Sequence, residues 1–291
     1  MALLVFLTFL TLFTNSYIPI WMVDNERGHM NEVMDQFGNL KGKVDMMSIG
    51  SEITGTSDLN MYQSIALGAP GIPVFASPTA GLLTYSPYGA KNSTMGLDFT
   101  YYVGGKEIKM NDTGGGKLQL YMPDRYYVQQ WVGYENGAIL IGQQDGQAMK
   151  AYPSLSITKT GGQIQLSWTQ VDLTGSNASI AGTGNAGVNL DLIYYNSQTY
   201  NTTKSVASSS YSWVNFTFTT QFGNAWWSYL TNITKSSGLV INTDYTLTWS
   251  PLPMKLQNQP NSNPVKITLT VKSVSSIVYG KATMQMSVQV S

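Results

Sequence analysis

Cysteine is missing from this 291-residue sequence, and histidine occurs only once, as His29. Without cysteine the chain can form neither disulfides nor thiolate metal sites, and it has no thiol nucleophile. A single histidine excludes most histidine-based metal centres and most acid–base catalysis. We therefore predict a protein that is not an enzyme and that carries no cofactor and no metal.

Charge is also scarce, at 11% of residues, and 16 basic residues balance 16 acidic ones to a net charge of zero. About a quarter of residues are charged in an average soluble protein. Proteins that bind nucleic acid carry a basic patch, which this composition does not favour, so we expect no nucleic-acid partner. The low charge also argues against an intracellular surface. Outside the cell and without disulfides, such a chain depends on core burial, glycans or contacts with its own copies.

The first 23 residues contain no charge at all, and Asp24 is the first ionisable side chain. As a helix they would span about 34 Å, enough to cross a hydrocarbon layer of about 30 Å. Their apolar side chains surround the helix axis, so the helix must be buried in lipid or among other helices. The residues predicted to form the core of such an assembly are Leu3, Leu4, Phe6, Leu7, Phe9, Leu10, Leu12 and Phe13.

A removable secretory signal is the competing interpretation of this segment. It fits poorly, because no Lys or Arg precedes the apolar run and no small-residue cleavage pattern follows it. Pro19 predicts a kink or a break in the helix. Tyr17 and Trp21 stand where an interfacial aromatic belt is expected. Three threonines could allow close helix approach or hydrogen-bond to their own helix: Thr8, Thr11 and Thr14.

Beyond Asp24 the apolar residues recur at steps of three and four, which indicates one buried stripe along a helix. The stripe consists of Met30, Val33, Met34, Phe37, Leu40, Val44 and Met47. We predict one long helix over residues 1–48, hydrophobic in its first half and amphipathic in its second. A membrane anchor followed by an ordinary core helix remains the alternative.

Residues 49–291 change to a period of two, which is typical of β-strands. Clear alternation covers 163–171, 265–271 and 282–290. Asn136-Gly137 predicts a hairpin with a type I′ turn, and one helix is predicted over 222–233. The fold class is therefore α+β: a long N-terminal hydrophobic helix followed by an antiparallel head rich in β-sandwich structure. The head has room for two packed sandwiches with a boundary near residue 150.

Two stretches carry a family resemblance. Residues 17–43, YIPIWMVDNERGHMNEVMDQFGNLKGK, are similar to the post-membrane region of archaeal pilin-like surface proteins. Residues 131–155, WVGYENGAILIGQQDGQAMKAYPSL, are similar to a later stretch of the same proteins. The uncharged helix that continues into an amphipathic stripe and a β-rich head resembles a mature type IV pilin or archaellin. One departure is Val5, which stands where bacterial pilins usually carry a carboxylate; archaellins commonly lack that carboxylate too.

The resemblance implies a structural subunit of an extracellular, archaeal type IV pilus-like filament on the cell surface. Such a subunit assembles with copies of itself through the N-terminal helix, and it is inserted in the membrane before assembly. A basic leader would be cut off immediately before the hydrophobic helix.

A different class of protein also fits the residues. A membrane-anchored surface adhesin or sugar-binding protein would have the same anchor and would never polymerise. Its partners would be surface glycans, and its 12% aromatic residues could supply the binding face. Trp227 is the exposed candidate in that case, because helical spacing assigns Trp226 to the core.

Six Asn-x-Ser/Thr sequons are N-glycosylation candidates if the head lies outside the cytoplasm. Their number is barely above the chance expectation, but most of them fall in segments that resemble turns. They are Asn92, Asn111, Asn177, Asn201, Asn215 and Asn232.

Gly114-Gly115-Gly116-Lys117 suggests a phosphate-binding loop, but the pattern fails. Leu118 stands in place of the magnesium-binding hydroxyl, and Asn111 replaces the first glycine. We expect a flexible turn between strands instead. His29 is expected on the surface of the long helix or packed against it. Asp172, Asp191 and Asp244 could supply a glycosidase carboxylate pair, but they lie far apart in sequence, so turn or strand-end roles are expected, and calcium binding stays open as an alternative.

Overall fold

A computed structural model describes residues 1–57, 59–89, 93–203, 212–251 and 263–290. It confirms the predicted α+β class, with one long N-terminal helix and a large, mostly antiparallel β-sheet head. The helices are α1 (Ala2–Leu12), a π-helical turn (Phe13–Tyr17), α2 (Ile18–Thr54) and α3 (Gly223–Ser236).

Fourteen strands make up the described part of the head. They are β1 (Leu59–Ala66), β2 (Gly81–Pro87), β3 (Thr94–Val103), β4 (Lys106–Met122), β5 (Gln130–Glu135), β6 (Ala138–Gln143), β7 (Gly146–Ala151), β8 (Leu155–Thr160), β9 (Gln163–Thr174), β10 (Ala178–Gly182), β11 (Asn185–Asn201), β12 (Ser212–Thr220), β13 (Tyr245–Ser250) and β14 (Val265–Val290). The main path of hydrogen-bonded neighbours is β1-β11-β14-β12-β3-β4-β5-β6-β7. Strand β2 joins β4 to β10, and β9, which pairs with β8, runs parallel to β14.

The long helix passes Pro19 without ending. Proline has no N–H to donate to the carbonyl four residues back, and its ring crowds that carbonyl. The π-helical turn over Phe13–Tyr17 ends two residues before Pro19, and α2 then continues from Ile18 to Thr54. It ends six residues beyond the expected Ser48, where Gly55 adopts a φ of 71° that suits a left-handed cap. Ser48 and Ser51 are buried in this last part of the helix. The predicted apolar stripe ends at Met47, so the sequence pattern did not indicate that the helix continues.

Two hydrophobic cores stabilise the head. The first lies under α3 and includes Trp168, Phe216 and Trp226, all fully buried. The second lies between α2 and the sheet, where Phe37 and Met284 are fully buried. Each core draws residues from both sides of residue 150, so the boundary expected there does not divide them.

Strand β6 contributes neighbouring residues to both cores. Its side chains alternate between the two faces of the sheet. Leu140 belongs to the first core and its neighbour Ile139 to the second. Similarly, β14 is one strand of 26 residues that enters both cores, although the sequence predicted two separate strands within it.

The glycine triplet is not the flexible turn that the sequence led us to expect. Gly114, Gly115 and Gly116 are buried inside β4, where the strand leaves β3 and begins to pair with β2 and β5. Gly115 and Gly116 have φ angles of 132° and 97°, which side chains of L-residues rarely permit. The triplet thus bends β4 from one part of the sheet into the next.

The predicted hairpin and the predicted short helix are confirmed. Asn136 and Gly137 both adopt positive φ between β5 and β6, as a type I′ turn requires. Helix α3 buries Ala225, Trp226 and Leu230 on the face expected from their spacing.

Candidate membrane and assembly surface

The apolar first half of the long helix stands clear of the head. Leu3 is 75% exposed and Phe9 is 64% exposed, and α1 contains no buried residue. Of the eight predicted assembly residues, six are exposed and two, Leu10 and Phe13, are half-buried. The helix is long and apolar enough to cross a membrane, which is compatible with a membrane anchor or with a signal sequence. Apart from Phe75, whose ring packs on Phe13, the described part of the head does not cover this surface, which is therefore available to lipid or to another protein.

The three threonines of this segment hydrogen-bond to their own helix. The hydroxyl of Thr8 donates to the carbonyl of Leu4 at 2.7 Å, and that of Thr11 donates to Leu7 at 2.8 Å. Thr14 donates to Leu10 in the same way. These bonds satisfy the hydroxyl protons internally, so the helix presents little unpaired polarity to an apolar surrounding.

Aromatic rings follow one side of the helix where it nears the head. Phe13 is centred 6.2 Å from Phe9, 5.9 Å from Tyr17 and 5.5 Å from Trp21. Tyr17 and Trp21 are 56% and 43% exposed, three or more residues before the first charge at Asp24. Tyr and Trp prefer the membrane–water boundary, so their place predicts that boundary near residues 17–21.

Glu26 holds the helix against the head through four hydrogen bonds. Its carboxylate is fully buried, and Oε1 accepts hydrogen bonds from Thr79 Oγ1 at 2.8 Å and from the Arg125 amide at 3.1 Å. Oε2 accepts from the amides of Tyr126 at 2.8 Å and Tyr127 at 2.7 Å. Hydrogen bonds to an ionised acceptor are stronger than neutral ones. The sequence patterns did not single out Glu26, although its four-residue spacing from Met22 and Met30, both buried, was a usable signal.

Further polar contacts continue the attachment along α2. His29 is buried, its Nε2 lies 3.1 Å from the carbonyl of Ala66, and burial lowers its pKa. The amide of Ala66 in turn donates to Gln36 Oε1 at 2.8 Å. Lys43 Nζ donates to the carbonyl of Tyr62 at 2.6 Å. The second half of the helix is therefore part of the head, which leaves the first half as a projecting rod.

Asp124 lies beside Glu26 in the same junction. It is 3% exposed, and neither carboxyl oxygen has a hydrogen-bond partner among the described residues. Burial, with a smaller contribution from the charge of Glu26, raises the pKa of Asp124 to about 7. Near neutral pH this carboxyl therefore changes its charge inside the helix–head junction.

Ionisation of Asp124 is expected to lower the stability of the folded chain as the pH rises from about 4 to about 7. An unfolded aspartate ionises near pH 4, so across this window the folded state binds more protons than the unfolded state. Stability then decreases with pH, by on the order of 2–4 kcal/mol in total, and levels off above pH 7. Asp124→Asn should flatten this slope and be more stable than the wild type at pH 8. Thermal unfolding across pH in detergent micelles measures both, and equal slopes for the two proteins would contradict the assignment.

The exposed side of α2 has few large side chains. Gly28, Gly38 and Gly42 are exposed, and a Cβ at any of them would meet nothing within 4 Å. At 100° per residue they fall within about 80° of one another around the helix. Near the end of the helix, Met46 and Ile53 are also exposed, at 62% and 79%. This side of the helix has room for a closely approaching neighbour.

Five of the six sequons lie in the described residues, and Asn92 lies outside them. Asn111, Asn177, Asn201 and Asn232 are exposed. Asn215 is half-buried, and its Oδ1 accepts a hydrogen bond from Thr270 Oγ1 at 2.6 Å.

The expectation that most sequons fall in turns is wrong. Asn177 lies between β9 and β10, but Asn111 is inside β4 and Asn232 is inside α3. Asn201 and Asn215 also belong to strands. Exposure in strands and helices depends on tertiary packing, which the local turn signals did not report.

An aromatic cleft lies between α3 and the segment before β8. It has a volume of about 340 Å³, and its walls include Tyr152, Tyr229 and Asn232. Tyr152 is 65% exposed, and its ring centre is 5.1 Å from that of Tyr229. Trp227, the candidate sugar-binding ring, is not an exposed platform, because it is half-buried against the edge of Trp249.

The other acidic candidates have separate positions in the head. Asp172, expected in a turn or at a strand end, is buried near the end of β9 and pairs with Lys281 at 3.0 Å. Asp191 lies within β11. Asp244 pairs with Lys159 at 2.7 Å. Within the described ranges, no three His, Asp or Glu side chains come together as a metal site.

Three features therefore follow one another along the N-terminal helix. They are the exposed apolar rod, the aromatic rings around Tyr17 and Trp21, and the buried polar junction with the head. Comparisons with protein-family models, with curated proteins and with solved structures give no match.

Proposed function

We propose that this chain is a structural subunit of an extracellular filament of the archaeal type IV pilus kind. It is held in the membrane by its N-terminal helix before assembly, and it polymerises with its own copies. The observation that carries the proposal is the projecting apolar rod, whose residues from Met1 to Phe9 are all exposed while α2 is fastened into the head.

The driving force is burial of that rod. Each large apolar side chain gains about 1.5–3 kcal/mol on complete burial. In lipid the rod is already buried, but once it is extracted the exposed leucines and phenylalanines must pack against copies of the same helix. The glycines and small apolar patch on the outer side of α2 support such close approach. The weakly charged heads then form the outer layer.

Leu3→Lys is expected to abolish filament assembly and to leave the head folded. A lysine at this position would place an ammonium group in a dry bundle of helices, where burying an unpaired charge costs several kcal/mol. The matched control is Ser156→Lys, on an exposed position of β8. Electron microscopy of both variants after detergent removal measures assembly, and tryptophan fluorescence reports folding. Normal filaments from Leu3→Lys would refute the proposed core.

The location is tested on cells that make the protein. Shearing, pelleting and electron microscopy should yield uniform filaments whose composition, identified by mass spectrometry, is this chain. Recovery only in detergent-extracted membranes would favour the anchored adhesin or sugar-binding protein instead. In that case the cleft between Tyr152 and Tyr229 is the place to look for a bound glycan, because aromatic rings offer an apolar face to sugars.

Glycan attachment is expected at the exposed sequons and not at Asn215. Asn111, Asn177, Asn201 and Asn232 offer accessible amides. Asn215 is half-buried in β12 with its amide group bound to Thr270. Intact-mass and glycopeptide analysis of the native protein measures occupancy. A mass equal to that of the bare polypeptide would remove the glycoprotein part of the proposal.

A further inference from the structure

A short apolar loop joins the region after β1 to β2. We use the name apolar loop for residues 70–78, PGIPVFASP. Val74 is fully exposed at its tip, and Phe75 is 45% exposed. No charged residue occurs between Leu59 and Ala90, so the loop has no charge on either flank. Apolar residues that are exposed together without charge mark an interaction surface rather than a surface adapted to water.

The apolar loop lies along the N-terminal helix and points toward the apolar end. At its base, Asn25 Nδ2 donates to the carbonyl of Pro70 at 3.2 Å. Near its tip, the ring of Phe75 packs against Phe13, with centres 5.5 Å apart. Twelve residues of helix separate these two contacts, which corresponds to about 18 Å along the axis. The tip therefore passes the first charged residue, Asp24, and the aromatic boundary at Tyr17 and Trp21.

The backbone of the apolar loop is suited to such a place. Ile72 and Ala76 exchange two hydrogen bonds of 2.9 Å, and Ala69 and Thr79 exchange two of 3.0 Å. Pro70, Pro73 and Pro78 have no N–H to leave unpaired. Irregular backbone enters an apolar layer only when its N–H and C=O groups have hydrogen-bond partners. In this loop many of these groups are paired, and the prolines have no N–H.

The conformation of Val74 adds an independent observation. Its φ is 70°, a value that is unusual for a β-branched residue and costs conformational energy. A glycine would adopt this turn without strain. The turn instead places a valine side chain at the outermost point of the loop, where it contacts water in the absence of lipid.

We propose that the apolar loop inserts into the lipid layer beside the N-terminal helix and forms a second membrane contact. This rests on the membrane-inserted state of the proposed function. Lipid is the occupant that the position favours, because the loop is continuous with the helix surface that itself requires lipid. Two contacts, helix and loop, hold the head in one orientation on the membrane, whereas a helix alone would let it rotate.

The absence of cysteine allows a direct test with single labelled cysteines in the full-length chain. Val74→Cys is labelled with a polarity-sensitive fluorophore, and the protein is reconstituted in phosphatidylcholine vesicles that contain spin-labelled lipids as quenchers. The matched control is Val103→Cys, an exposed valine at the end of β3. Val103 pairs with Lys106 at the start of β4, whereas the segment that binds Glu26 follows the end of that strand, so the two sites are separated by the length of β4. Phe9→Cys reports on the helix itself.

We expect blue-shifted, lipid-quenched emission from positions 9 and 74 and water-like, unquenched emission from position 103. Quenching at position 9 with water-like emission at position 74 would overturn the loop insertion and leave the helix anchor intact. Absence of quenching at both positions would overturn the membrane-inserted state as well. Blue-shifted emission at position 74 that lipid does not quench, and that grows with protein density, would assign the loop to a second copy and also overturn the proposal.

Discussion

Glu26→Gln is expected to destabilise the folded chain by about 3–5 kcal/mol. The substitution keeps the size of the side chain but replaces one acceptor oxygen with an NH₂ donor. That donor must face either the amides of Tyr126 and Tyr127 or the groups of Thr79 and Arg125, all of which donate to the carboxylate. Because the site is fully buried, water cannot replace the lost acceptor.

Glu32→Gln is the matched control, since Glu32 lies exposed on the same helix and accepts a hydrogen bond from Gln36 at 2.9 Å, which a glutamine can also accept. It should change stability by less than about 0.5 kcal/mol. Urea unfolding of the full chain in detergent micelles, with hydrogen exchange at the amides of 125–127, compares the two variants. Faster exchange there should accompany the loss in Glu26→Gln. Equal stability of the two variants would show that the junction does not hold the helix.

The same variant probes the coupling between the two junction carboxyls. The charge of Glu26 contributes to the raised pKa of Asp124, so its removal should lessen the fall in stability between pH 4 and 7. The junction thus combines a firm attachment with a carboxyl that titrates near neutrality. Its position, where the helix leaves the head, fixes the direction in which the apolar rod projects.

Features with a local cause could be predicted from the sequence. The uncharged run before Asp24 and the three- and four-residue spacing after it indicated the long helix, because helix periodicity depends on neighbouring residues. The turn at Asn136-Gly137 was predicted for the same reason, since few residue pairs accept two positive φ angles. The uncharged composition of the rod predicted burial in lipid or among other helices, but only the structure shows that it projects from the head.

Features that depend on distant residues could not be predicted from the sequence. Glu26 is separated by about a hundred positions from the amides that bind it, so the residues around it could not reveal its hydrogen-bond partners. The apolar loop was part of an uncharged stretch, and its position beside Phe13 depends on how β1 and β2 meet the helix. The two cores each draw on residues before and after position 150, so the organisation of the head depends on contacts between distant strands and not on a local break in the sequence.

The glycine triplet shows the same limit most sharply, because glycine-rich sequence is typical both of turns and of sites where backbones approach closely. Here the glycines mark a close approach of two backbones and not a turn. A Cβ on Gly115 would lie 2.5 Å from the carbonyl oxygen of Ser93 and 2.9 Å from the Cα of Thr94, both backbone atoms. The amide of Gly115 also donates to Asp172 at 3.0 Å, which holds the strand in place.

Gly115→Ala is accordingly expected to cost about 3–5 kcal/mol, from a φ of 132° that alanine avoids and from overlap with a paired strand. Gly96→Ala is the matched control on β3, opposite Thr113, where a Cβ would meet its nearest atom at an ordinary 3.7 Å. It should be neutral or stabilise the strand by up to about 1 kcal/mol. Urea unfolding of both variants measures the difference. If alanine is tolerated equally at the two positions, β4 has enough freedom to move and the triplet is the flexible turn first expected; if Gly115→Ala alone unfolds the head, the triplet is the fixed bend that joins the two parts of the sheet.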